Sequence, residues 1–574
     1  MRGAGVLVAL FAIGMLWLVP FLWPEHRVPL TSFDSELIAQ ACLALLMAAG
    51  ATLGDTRARI RWPLPAFLLA VAAIAAAQYL LHRLPYSQQA VGLGWIAAAM
   101  LCAYVLGRQL VAAGMTESAV RAACLASLAG ALVSVAIQWL QLFEIHILPS
   151  WLVLIPGHEV LGGRPPGNLE QANHLATYIA AGALAAACLQ ARGMRAAWGM
   201  PAFLALGSGL GLAGSRVTLM YLALIAACLL LPSGLRPARA RARCGLVVAL
   251  LAGYALGPVA VRAAYSGAEM TVFDRLLGDT YGIRTELWRQ AWAIALQHPL
   301  IGAGAGQFPA AQYWIARSTS YAQGDVNCHN LVLQLAAEMG WPAALAAVAV
   351  ALWWALSNLK KRLASPEGAY AWGFLALIAI HSLLEYPLWY LYFAVPAAML
   401  FALAEPDGVR ELRLDLRRSL ALLGAAFLVA ALLMRFDYDN VVRASDRFWS
   451  EKRAHSPVSA ETVSAVIAAA QSALFRPEGE RLLIELQPLQ EQQGDAYLEL
   501  SARVLSRQPH PQAILRHILL LVQAGRVDEA VPHVDRLRVF ARERFPQYRD
   551  AILDATRDLG PRAARLRRAL RATS

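Results

Sequence analysis

The stretch "RPARARARCGLVVALLAGYALGPVAV", residues 236–261, sets four arginines against eighteen consecutive uncharged residues. Coiled as a helix at about 1.5 Å per residue, such a run crosses most of a hydrocarbon core about 30 Å thick. Arginines crowded at one mouth mark the cytoplasmic side, because short basic loops resist translocation. This one segment predicts both a membrane-spanning helix and its orientation.

Working outward, the same signature recurs along the chain. With 244–261 it predicts about thirteen spans, at 4–23, 35–53, 63–80, 88–107, 121–142, 173–190, 198–213, 217–232, 244–261, 329–357, 370–385, 387–404 and 419–434. The whole chain of 574 residues agrees, being 58% hydrophobic and only 15% charged. The predicted class is all-α and polytopic, with membrane lipid as its solvent. A net charge of +12 in a soluble chain would raise nucleic acid as a partner. Here the excess sits in short loops between apolar runs, so topology accounts for it.

With the N-terminus inside, nineteen basic residues fall on the inner face and nine in the outer loops. An odd number of spans then places the tail outside. The first run, residues 5–23, is longer than a secretory h-region and has no small-x-small cleavage site, so it reads as a retained helix. Seven cysteines without a CxxC pair, and none in the tail, argue against a disulfide framework or a zinc site.

Two long outer segments, 143–172 and 262–328, interrupt the regular pattern. The transmembrane part is read as 1–435, and the tail from 436 to 574 as a separate outer domain. In "AYLELSARVLSRQPHPQAILRHILLLVQAGRVDEAVPHVDRLRVF", residues 496–540, apolar positions recur at helical spacing between turns at "QPHP" and "AGRVDEA". Successive helical hairpins of this kind hint at a tetratricopeptide-like array with no fixed period.

Polar residues gather at the outer ends of the spans. "LGGRPPGNLEQANHLATYI", residues 161–179, builds an irregular turn from Gly162, Gly163, Pro165, Pro166 and Gly167, then brings Gln171, Asn173 and His174 to a span entrance. Either these side chains cap the helix and Arg164 snorkels, or they line a site. In "GLAGSRVTLMYLAL", residues 211–224, Arg216 sits in a hairpin so tight that it lies near membrane depth. An unpaired arginine costs about 2.5 kcal/mol or more there, and no acid lies in the adjacent spans, which favours an anionic ligand over a structural ion pair.

Residues 278–309, "GDTYGIRTELWRQAWAIALQHPLIGAGAGQFP", place Arg284, Glu286, Trp288 and Arg289 on an amphipathic interfacial helix. The "GAGAG" that follows has no preceding strand, so it reads as a backbone turn and not a dinucleotide fingerprint. "DVNCHNLVLQLAAEMGW", residues 325–341, sets His329 and Asn330 at the mouth of a span. "HSLLEYPLWYLYF", residues 381–393, adds Glu385 and Tyr386 beside a proline break, with Trp389, Tyr390 and Tyr392 as an interfacial belt. The guanidiniums of Arg164, Arg216 and Arg284 are planar forks suited to phosphate. No cluster of Asp and Glu offers an oxygen cage for a divalent metal, so the expectation is a metal-free site with no cofactor.

On "GRPPGNLEQANHLATY", "GSR", "IRTELWRQAWAIALQHPLIGAGAGQF", "CHNLVLQLAAEMGW" and "HSLLEYPLWYLYF", the chain resembles the bacterial O-antigen ligase and polymerase superfamily. "NLEQANHLA" and "EYPLWY" resemble its protein O-oligosaccharyltransferase branch, which glycosylates pilins and other exported proteins. The resemblance implies a GT-C-like transferase of the inner membrane whose site faces the periplasm. It implies an oligosaccharide on undecaprenyl pyrophosphate as donor and a serine or threonine hydroxyl as acceptor. It implies His329 as the essential histidine, Gln171 and Tyr386 as further catalytic positions, and Arg216 and Arg284 as ligands of the pyrophosphate. Arg164 joins these arginines on its chemistry and position, with Asn330, Asn173, His174 and Glu385 in support. Two other readings stand beside this one. One is transfer of the same glycan to another sugar, as a ligase or polymerase. The other is a lipid or glycan transporter, which the crowding of polar groups at one face disfavours.

Overall fold

The computed structural model describes residues 2–53, 59–155, 164–264, 281–316, 319, 321–405, 416–486 and 494–571. Every regular element among them is helical. The first nine helices are α1 (Arg2–Leu22), α2 (Phe33–Gly50), α3 (Pro63–Leu80), α4 (Ser87–Ala112), α5 (Thr116–Leu142), α6 (Ala172–Ala191), α7 (Ala196–Leu212), α8 (Val217–Leu230) and α9 (Ala240–Ala264). Then come α10 (Tyr281–Gln297), α11 (Phe308–Ile315), α12 (Leu331–Met339), α13 (Trp341–Ser357), α14 (Leu359–Ala364), α15 (Pro366–Ser382), α16 (Leu391–Ala404) and α17 (Leu416–Arg453). The tail adds α18 (Ala460–Ala470), α19 (Arg476–Leu486), α20 (Asp495–Leu505), α21 (Pro511–Gln523), α22 (Val527–Phe540), α23 (Phe545–Ala555) and α24 (Ala564–Arg571).

Among the described residues, eight helices are long and apolar enough to cross a membrane: α1 to α6, α9 and α17. Shorter apolar helices include α7, α8, α13 and α16. A helix stands at each expected span, and the chain is a polytopic, all-helical membrane protein. Two expected boundaries differ. The run 329–357 is broken at Gly340, whose φ is +88° and which has the Leu300 carbonyl oxygen 2.3 Å from where a Cβ would sit. The next helix begins at Trp341 with Pro342 in its first turn, where the missing N–H would have no intrahelical partner anyway. At the other end, α17 runs on past residue 435. The apolar signal stops there, but no proline interrupts the helix and Arg435 pairs with Asp439 one turn on.

The chain divides into two compact units. The first comprises Met1–Leu69, Ile96–Thr280 and Ala347–Leu432. Its centre is α6, buried almost throughout, packed against α5, α7, α8 and α15. The tightest pair is α7 with α9. Cβ atoms on Gly207 and Gly211 would lie 2.2 and 2.3 Å from the carbonyl oxygens of Leu250 and Tyr254, and one on Gly253 would lie 2.0 Å from that of Leu204. Two small-xxx-small ridges, 207/211 and 253/257, thus let backbones touch, which is how apolar helices gain contact when lipid offers no hydrophobic drive.

The second unit comprises Ala70–Trp95, Tyr281–Ala346 and Leu433–Ser574. Tail helices pair with their chain neighbours, α18 with α19, α20 with α21 and α21 with α22, and α20 to α24 share a core around Ile514, Ile518, Val534, Leu537 and Leu566. Tyr313, Ala316 and Ala322 enter the same core. The tail's core is therefore completed by residues of the long loop.

Candidate functional site

In the first unit, polar groups assemble at the N-terminal mouth of α6. Gln171 is the extended N-cap residue, and its Oε1 accepts from the His174 amide at 2.7 Å. Capping is thus a role the structure gives Gln171 directly. Two glutamines of α5 strap down the chain that leads in. Gln138 donates to the Pro165 carbonyl at 3.0 Å, and Gln141 both accepts from the Gly167 amide at 2.9 Å and donates to its carbonyl. Gly162 and Gly163 lie outside the described residues.

Asn173 faces across the mouth and links α6 to the turn before α8 and the turn after α15. Its Nδ2 donates to Glu385 Oε1 at 2.8 Å, and its Oδ1 accepts from Ser215 Oγ at 2.6 Å. Arg216, half-buried, follows Ser215 at the start of α8, and Arg164 Nε donates to the Ala213 carbonyl of the same turn at 3.0 Å. No acid flanks Arg216 in sequence, yet the fold brings the buried carboxylate of Glu385 to the Asn173–Ser215 pair. Asn173, Ser215, Arg216, Arg164 and Glu385 therefore belong to one cluster.

Behind this row lies a buried aromatic and hydroxyl layer. His174 Nδ1 bonds the Tyr392 hydroxyl at 3.0 Å, and Thr177 Oγ1 bonds both Tyr221 and His381 Nδ1, at 2.7 and 2.8 Å. Tyr386 stacks on Tyr390 with centroids 5.8 Å apart, and both keep part of their surface open. Tyr392, expected as an interfacial belt residue, is buried against His174 instead. The ring needs a partner for its hydroxyl once inside, and the imidazole provides it.

The second unit holds His329, Asn330 and Arg284. Asn330 is the N-cap of α12, its Oδ1 accepting from the amides of Val332 and Leu333, each at 3.1 Å. His329 stands just before it with φ +58°, a rare conformation for a residue with a Cβ. Its amide donates to Asn327 Oδ1 at 2.7 Å, and its own side chain is half-buried. Arg284 occupies the first turn of α10; one turn on, Leu287 packs in the same core as the buried Cys328. The arginine and the histidine are thus anchored through neighbouring residues of one small core.

Sequence reading passed over the residues that lash this loop. Gln290 on α10 donates to the Tyr321 carbonyl at 2.6 Å, and Gln312 on α11 accepts from the amides of Gly324 and Asp325. Burial, and then the Asp325 carboxylate, push the Tyr321 hydroxyl up to about 12, so it remains a donor at any working pH. Their only sequence signal is a glutamine facing the apolar side of a helix. The "GAGAG" turn does lock backbone. The amides of Ala303 and Gly304 donate to the carbonyls of Ala337 and Glu338 at 2.8 and 3.1 Å, while Gln78 and Arg83 hold the far side. Gly302, Gly304 and Gly306 all have positive φ. Among the described residues, no three His, Cys, Asp or Glu side chains gather as a metal site.

Parts of the chain match known protein families. The O-antigen ligase family matches residues 201–348, which include Arg216, Arg284, His329 and Asn330. The family described as virulence factor membrane-bound polymerase, C-terminal, matches residues 369–553, which include Glu385 and Tyr386. A general O-oligosaccharyltransferase of Acinetobacter baylyi is 30% identical over 161 residues, 27% of this chain and 28% of the relative. The match thus spans less than a third of that relative's length.

Proposed function

We propose that this chain, a member of the O-antigen ligase superfamily, transfers a preassembled oligosaccharide from undecaprenyl pyrophosphate to serine or threonine hydroxyls of exported, pilin-like proteins at the periplasmic face of the inner membrane. The observation that carries this reading is the backbone of His329. A histidine held at φ +58° between two structural asparagines is a strained position, of the kind that costs about 1–3 kcal/mol and persists where a side chain must be aimed. The name of the relative in Acinetobacter baylyi directs the chemistry toward hydroxyl acceptors.

In this reading the His329 imidazole takes the proton of the acceptor hydroxyl as its oxygen bonds the anomeric carbon. The bond from that carbon to the pyrophosphate oxygen breaks, and the proton passes from the imidazole to solvent or the released pyrophosphate. General-base assistance of this type is worth about 10²–10⁴-fold. A single displacement inverts the anomeric carbon. Arg216, Arg284 and Arg164 bind the pyrophosphate and meet the charge that develops on it, the part a metal plays in other transferases. Gln171 and Tyr386 position sugar or acceptor, supported by Asn173, His174 and Glu385.

The family matches favour a second reading, transfer to another sugar as a ligase or polymerase. One experiment separates the two. Purified protein is incubated with undecaprenyl-pyrophosphate glycan, a pilin-like protein and lipid A core, and mass spectrometry locates the glycan. Glycan on a pilin serine or threonine, lost in His329→Ala, supports protein glycosylation. Glycan only on lipid A core or on a lengthening donor moves the chain to the ligase or polymerase branch.

A further inference from the structure

Residues 143–152, "FEIHILPSWL", leave α5 as an irregular segment that exposes nearly all of its large apolar side chains. Ile147 is 73% and Trp151 75% exposed, with Phe143, Ile145, Leu148 and Leu152 also open. A water-facing loop of this composition is anomalous, since contiguous apolar patches on a soluble surface mark an interaction site. The two ends of the segment are tied down by backbone hydrogen bonds. The amides of Phe143, Glu144 and Ile145 donate back into the last turn of α5, and those of Leu152 and Val153 donate to the Pro149 carbonyl. Two carbonyls are taken as well, Leu152 by Asn168 Nδ2 at 2.9 Å and Leu154 by Gln141 Nε2 at 2.8 Å. Irregular backbone within the hydrocarbon would need every polar group met, so the backbone of this segment belongs at headgroup level with only its side chains in the acyl region.

The exposed stripe of α5 runs Leu125, Ala129, Val133, Ala136, a spacing of four, four and three. Phe143 lies seven residues further on, on the same helical face, and its ring stacks on Trp139. The apolar surface of the segment is thus a continuation of the surface that α5 turns to lipid. We infer that residues 143–152 form an interfacial anchor whose Ile147, Leu148 and Trp151 side chains sink into the acyl region of the bilayer's own phospholipids. The backbone stays at headgroup level, where tryptophan is favoured. Through Gln141 and Leu152 the anchor is tied to Gly167 and Asn168, directly ahead of the Gln171 mouth, so it sets the height of that mouth at the membrane surface. This inference rests on the membrane reading alone and not on the reaction proposed above.

The test uses the full chain in phospholipid nanodiscs, with Cys102 and Cys244 changed to serine because the remaining cysteines are buried. Ile147→Cys and Trp151→Cys are labelled with an environment-sensitive fluorophore, and Asp550→Cys, on the exposed face of α23, serves as the aqueous control. The expected result is blue-shifted emission at 147 and 151, quenching by phospholipids spin-labelled near the top of the acyl chain, and protection from iodide. Emission and iodide quenching equal to the control would overturn the proposal. So would a blue shift that appears only on adding a lipid-linked donor or an acceptor protein, which would make the segment a substrate contact.

Discussion

Asn173 is the residue whose change reports most directly on the cluster at the mouth of α6. Its two amide atoms face opposite partners, Glu385 at 2.8 Å and Ser215 at 2.6 Å, and no other natural side chain of this shape both donates and accepts. Asn173→Ala removes a hydrogen bond to a buried carboxylate, which is worth about 1.5–3 kcal/mol. If that energy positions the site in the transition state, transfer falls by about 10- to 150-fold in kcat/KM. Asn173→Asp has the same shape and a different failure. Two ionised carboxylates 2.8 Å apart repel by about 6 kcal/mol at an effective dielectric of about 20, enough to make the pair hold a shared proton. With that proton the variant still donates across the gap; without it the gap opens. Relative to the parent protein, Asn173→Asp therefore loses activity as pH rises, while the deficit of Asn173→Ala stays flat. The assay is the initial rate of glycan transfer between pH 5.5 and 8.5 for the three proteins, each checked for intact insertion. A parent-like rate in Asn173→Ala, or parallel pH profiles for the two variants, would refute the bridging role.

Three further outcomes follow from other parts of the molecule. His329→Ala lowers kcat by about 10²–10⁴-fold while expression and melting temperature stay near those of the parent, because the imidazole serves chemistry; a rate within a few-fold of the parent argues against it. Gly340→Ala destabilises by several kcal/mol, since it combines about 1–3 kcal/mol of backbone strain at φ +88° with a Cβ set 2.3 Å from the Leu300 oxygen. Gly94→Ala, with nothing within 4 Å of its Cβ inside α4, is neutral or stabilising in the same melt. The tail loosens in acid. Burial, and then the Arg526 charge, hold His517 down to about 4, and burial, then His517 and Arg536, hold His533 down to about 3. Both are favoured neutral in the folded state, so this stability is whole above about pH 6.5 and declines as pH falls toward the folded values. The slope is at most about 1.4 kcal/mol per pH unit for each histidine. Amide protection factors across residues 511–540, corrected for the intrinsic exchange rate at each pH, that are as high at pH 5 as at pH 7.5 would contradict this.

What could be read from the sequence was whatever is local. Apolar runs announce helices in lipid because an unpaired backbone cannot survive there, so α1 to α9 were all foreseeable. The break inside 329–357 was also in plain view, as Gly340–Trp341–Pro342, but an apolar average passes over it. The continuation of α17 was hidden for the opposite reason, because a helix leaving the membrane changes polarity without changing conformation. Asn173 and Glu385 are 212 residues apart, and nothing short of the packing of α6 between α8 and α15 says that they meet.

The division between chemistry and scaffold follows the same line. Sequence motifs mark positions where few residues will serve, and they do not say why. "HPLIGAGAGQF" is as distinctive as "CHN", yet Gly302 within it serves to let residues 300–304 lie against the backbone of 337–341. That lock holds the C-terminal end of α12, and Asn330 holds the other, nine residues away. A helix of only nine residues pinned at both ends has little freedom to tilt, so His329 inherits its position from glycines it never touches. The prediction for Gly340→Ala therefore has a functional arm. At a temperature where the variant is still folded, its transfer rate falls as well, and a double variant with His329→Ala is no slower than His329→Ala alone. Independent, multiplying losses would mean that the glycine lock supports the fold without aiming the histidine.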